Sequence, residues 1–143
     1  MLRYTLAALV ACLALVGAVA CGDDDESQAT AEENLCASLE GFSAALANVE
    51  GVQLLDPDAN QANTSVQRAR ATWSGAQAAA EDVQEADANA LSSAVDDLES
   101  TAQNLPSGST PAEIRQALEP QLAAVYTAFN EMYDGLECAT RDS

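Results

Sequence analysis

The chain has 143 residues, of which 23 are acidic and five are basic, all five arginine; it has no lysine and no histidine, and its formal net charge is −18. Such a balance excludes a nucleic-acid-binding surface, which needs clustered cations against phosphate, and excludes a basic patch for anionic lipid headgroups. The missing histidine also removes Ser-His-Asp and Cys-His catalysis and the commonest transition-metal ligand.

The charge is not spread evenly. Residues 4–20 carry no charged side chain and are almost wholly apolar or small, after a start, Met1-Leu2-Arg3, with a single cation. Ala18-Val19-Ala20-Cys21-Gly22 ends this run, and Asp23-Asp24-Asp25-Glu26 follows at once. A cationic start, an apolar stretch and a small-residue site form a secretory signal peptide. A cleavage site alone needs no cysteine at the first mature position. With one there, the segment resembles the lipobox of bacterial lipoprotein precursors, although Ala18 stands where Leu is usual. The resemblance covers residues 1–26 and implies cleavage after Ala20, lipidation of Cys21 and a lipid-anchored protein on the extracytoplasmic face of the cell membrane. The mature chain would have 123 residues, enough for one small domain, with four arginines against all 23 acids, a net −19.

The four cysteines have separate fates. Cys12 leaves with the signal and Cys21 takes the lipid. Cys36 and Cys138 remain, an even pair in an exported chain, which reads as one disulfide.

Residues 21–29 are polar and read as an acidic, flexible, self-repelling tether. A first helix is expected from Thr30, since Thr30-Ala31-Glu32-Glu33 has capping-box spacing. Its apolar seam is Leu35, Leu39, Phe42, Leu46 and Val49, and Gly51 is the expected stop. The connection over residues 50–59 keeps Val52, Leu54 and Leu55, expected to tuck against the end of the bundle. Asp56-Pro57-Asp58-Ala59-Asn60 opens like a calcium loop. Gln61 and Gln67 then occupy the positions of the turn glycine and the bidentate glutamate, so the segment reads instead as a turn and a helix cap.

A second helix runs from about residue 57 or 60 to 84, with Val66, Ala69, Trp73, Ala76, Ala80 and Val83 inward. Continuing that seam would bring Asp87 and Asp97 inside, whereas Leu91, Val95, Leu98, Ala102 and Leu105 form their own seam one residue out of phase. This slip predicts a break over residues 85–89 and a third helix over about 87–104; one unbroken helix over residues 60–105 would leave much of the seam wet. Leu105-Pro106-Ser107-Gly108-Ser109 is a loop. Thr110-Pro111-Ala112-Glu113 then caps a fourth helix with Ile114, Leu118, Leu122, Val125, Phe129, Met132 and Leu136 inward and Pro120 bending it.

These segments predict an all-α protein: a four-helix up-down bundle over residues 30–139, a tail over 140–143, and the Cys36–Cys138 bridge joining the outer ends. No glycine-rich phosphate loop or nucleophile elbow is present. The acid pairs Glu32-Glu33, Glu81-Asp82 and Asp96-Asp97 fall on polar faces, so no catalytic residue, metal site or cofactor is expected. The Cys-Gly-Asp-Asp-Asp start, the Leu35-Cys36 entry to the first helix and the terminal Cys138 also resemble small, acidic, alanine-rich helical lipoproteins of high-GC Gram-positive bacteria. That resemblance implies a location and a fold but no mechanism. The expected function is a non-catalytic, lipid-anchored envelope protein acting by contact with another envelope protein or as an accessory to a neighbouring system. The alternative is a lipoprotein binding a small molecule or cation in a pocket between helices near Trp73.

Overall fold

The computed structural model describes residues 23–83 and 88–138. These form four helices: α1 (Asp23–Gln53), α2 (Ala59–Ala80), α3 (Asn89–Gln103) and α4 (Pro111–Gly135); no strand occurs among the described residues. Each helix packs against the next in sequence, and α1 also meets α4. Cys36, near the middle of α1 rather than at its outer end, is bonded to Cys138 beyond the end of α4, with the Cα atoms 5.6 Å apart. At the other end Arg115 Nη1, at the start of α4, donates to the carbonyl oxygen of Gln53, the last residue of α1, at 3.0 Å. These two links make α1 and α4 antiparallel.

The core is the set of four seams. Leu35, Leu39, Phe42, Leu46 and Val49 of α1 are fully buried, as are Trp73, Ala76, Leu91, Ile114, Leu118 and Val125. The alanines of α2, with Ala62 added to the expected set, are buried together with the Trp73 indole. Phe42 lies against both Trp73 and Phe129, with centroids 5.5 and 6.2 Å away, in the tilted arrangement that aromatic pairs favour. Leu105, at the end of the third seam, is only partly buried.

The break between α2 and α3 falls where the seam changes phase, with 84–87 outside the described residues. Arg70 then ties α2 to α3: its Nη2 lies 3.0 Å from Asp96 Oδ1 and its Nε 3.2 Å from Glu99 Oε2. Asp58 caps α2, accepting from the Gln61 amide at 2.8 Å while the Gln61 side chain returns to the Asp58 amide. Thr110 and Glu113 make the corresponding box on α4, and Pro111 takes the first turn. The helix continues through Pro120, which is exposed and so disrupts the backbone ladder only where water can serve.

Three expectations at the ends of α1 are corrected. The helix begins at Asp23 rather than Thr30, so residues 23–29 of the expected flexible tether are helical. Acidic residues favour this, because a helix start is the positive end of the macrodipole. Gly51 does not stop the helix, which continues to Gln53. The left-handed residue of this turn is Asp56 (φ 54°), and no described glycine has a positive φ. Aspartate tolerates that region through local side-chain hydrogen bonding. Finally, Leu54 and Leu55 do not tuck in: they are 78% and 80% exposed.

Candidate functional site

Of the side chains the sequence singles out, Cys21 lies outside the described residues, and Cys36 and Cys138 form the disulfide. A left-handed Glu137 (φ 54°) after the last turn of α4 turns the chain into that bond. Trp73 is fully buried against Phe42 and lines neither of the two cavities described below. Its indole nitrogen has no hydrogen-bond partner in the structure. The pair Asp96-Asp97 is exposed, and Asp96 is engaged by Arg70.

Two cavities lie at the α1–α2 corner, each bordered by one of its two exposed leucines. One, about 440 Å³, is bordered by Leu55, Val52, Thr64 and Arg68, and its polar rim includes the Asp58 and Gln61 side chains already used in the cap. The other, about 520 Å³, lies between the end of α1 and the first half of α4. Its α4 wall is Arg115, Glu119, Leu122, Ala123 and Tyr126, at steps of four, three, one and three. That spacing is one helix face, displaced by one residue from most of the buried seam. Its other wall is Glu50 and Gln53 at the end of α1 and Leu54 just beyond it, all following the seam residue Val49.

The chemistry of this second cavity is mixed. Arg115 is half-buried, has no carboxylate within ion-pair distance among the described residues, and is held by its bond to the Gln53 carbonyl. Gln53 is only 7% exposed, and its side-chain nitrogen donates to no protein group. Burial, and then the neighbouring Glu50 carboxylate, push the Tyr126 phenol above its ordinary pKa, so it remains a protonated donor. Leu54, Leu122 and Ala123 supply apolar surface between these groups.

Sequence patterning alone does not single out this constellation. Gln53 falls at the next step of the α1 seam, four residues after Val49, but is polar, and Arg115 reads as a solvent-facing cation; the missed signals are that seam position and the helix face shared by Arg115, Glu119 and Tyr126 at the edge of the core. Among the described residues no three acidic or cysteine side chains cluster to hold a metal ion, and no helix is long and apolar enough to cross a membrane. No protein-family profile, curated protein or solved structure matches the chain.

Proposed function

We propose that this protein is a non-catalytic envelope protein, anchored by lipid on Cys21 at the extracytoplasmic face of the cell membrane, that acts by contact with another envelope protein. The observation that supports contact is the pair Leu54 and Leu55, adjacent large apolar side chains left in water at 78% and 80% exposure. Covering apolar surface is favourable by about 25 cal/mol per Å², and two neighbouring leucines at a corner form a compact anchor for a partner. Their location suits an anchored protein. The proposed lipid site stands two positions before α1, whereas the leucines follow its end, 31 residues later. At 1.5 Å per residue the helix spans about 45 Å, so an anchor at one end leaves the corner free to reach outward. The acidic surface favours a partner with a basic rim.

A photo-crosslinking residue at exposed Asn60, in protein carrying its own signal, is expected to give one discrete adduct with an envelope protein. That adduct should disappear when Leu54 and Leu55 are both changed to Glu. An equal adduct from exposed Ala90, or survival of the adduct in the double variant, counts against the contact. The anchor has its own test. Intact mass should show a mature chain starting at Cys21 plus acyl groups, and Cys21→Ser should lose both processing and membrane retention.

A further inference from the structure

The cavity between the end of α1 and the start of α4 shares Leu54 with the proposed leucine contact, but its polar groups suit a small ligand. We propose that it binds a small amphipathic zwitterion, a free amino acid or short peptide with an aliphatic side chain. Its volume, about 520 Å³, lies within the range of roughly 300–1,000 Å³ over which proteins hold small ligands. The donor side is preorganised. One arm of Arg115 is fixed on the Gln53 carbonyl at 3.0 Å, which orients the rest of the planar guanidinium to take a carboxylate. Beside it the Gln53 amide, more than nine-tenths buried, has a nitrogen with no acceptor. A buried donor without a partner is unusual; this nitrogen is closed to solvent, so it takes a ligand oxygen as acceptor once the Gln53 side chain turns into the cavity that the residue lines.

The other groups narrow the class. A simple anion meeting Arg115 would also face Glu50 and Glu119, and a simple cation drawn by those acids would face Arg115. A molecule carrying an ammonium and a carboxylate satisfies both signs at once, with neither left against a like charge. Between them, Leu54 and Leu122 form a wall for a short aliphatic side chain.

The test is calorimetric titration of the purified full chain with L-leucine and glycyl-L-leucine, and with N-acetyl-L-leucine and L-leucinamide as blocked controls. Binding of leucine or the dipeptide is expected, with each blocked form weaker by about tenfold or more, the loss of one charge-assisted contact. Arg115→Gln should erase the preference for leucine over leucinamide. Because Arg115 also bonds the backbone, a second variant is used: Ala123→Phe, at an exposed edge of the cavity, should block binding with the melting temperature unchanged. Absence of binding by both leucine and the dipeptide overturns the proposal. So does equal affinity for the blocked forms, or binding indifferent to Ala123→Phe.

Discussion

The same residue type behaves in opposite ways in two parts of α1 and its extension. Leu35, Leu39 and Leu46 are fully buried, whereas Leu54 and Leu55 stand 78% and 80% exposed. The first three sit at the four-and-three spacing that keeps a helix face turned toward its neighbours. The last two fall after Gln53, where the helix has ended and the chain turns through a left-handed Asp56 toward α2. Hydrophobicity therefore does not bury a side chain without a facing surface, and periodicity is what provides one. The core is organised around repeated contacts between helices; the corner has apolar surface, two cavities and a buried amide nitrogen without a partner.

The largest test of this contrast is at the covalently closed end. The Cys36–Cys138 bond spans a sequence separation of 102 residues, and its loss should cost about 4–5 kcal/mol by the chain-entropy model. Denaturant unfolding with and without reductant measures this. Cys36→Ser, Cys138→Ser and the double variant should lose similar amounts, since each removes the same bond. Additive losses would show that the cysteines contribute mainly by packing.

Next comes the comparison of leucines themselves. Leu39→Ala should cost about 2–5 kcal/mol, the transfer term plus a cavity, while Leu54→Ala should change folding stability by less than about 0.5 kcal/mol. Equal costs would mean that the corner belongs to the core. Chemical denaturation of both variants at one pH decides it.

A smaller effect is expected where a helix end is held by its own side chains. Thr110→Ala removes the cap that accepts from the Glu113 amide and should cost about 1 kcal/mol. The Thr110 backbone amide and then its hydroxyl hold the Glu113 carboxyl below its ordinary pKa. A lowered folded-state pKa means that this stabilisation is present above the unfolded carboxylate value and is lost as pH falls through the folded one. Wild type should therefore lose part of its advantage over Thr110→Ala, the part carried by the hydroxyl bond to the Glu113 carboxylate, as solutions are taken below about pH 4, near the ordinary glutamate value. A constant difference from neutral to acid would refute the assignment.

The smallest effect belongs to the surface. Arg70→Ala breaks contacts with Asp96 and Glu99 and should cost about 0.2–1 kcal/mol per exposed pair, less at high salt. Salt titration of the variant and wild type checks it. A loss that persists in high salt would place the contribution in the arginine's alkyl stem rather than its charge.

The sequence by itself determined the helices and most of their inward faces, because an apolar seam at helical spacing can be satisfied only by packing against another helix. It located the α2–α3 break through a one-residue phase slip, and the caps at Asp58 and Thr110 through side chains able to satisfy free amides at a helix start. It also paired Cys36 with Cys138, the two cysteines left over once Cys12 and Cys21 are assigned to the expected signal and lipid site. The tertiary structure decided what depends on neighbours distant in sequence. The passage of α1 through Gly51 is one such case, because a marginal local stop yields to a helix already packed through Leu46 and Val49. The exposure of Leu54 and Leu55 is another, since nothing in their own segment says whether a surface will face them. The cavity is the third: Gln53 and Arg115 are ordinary polar residues 62 positions apart, and only the antiparallel meeting of α1 and α4 gives them a shared wall.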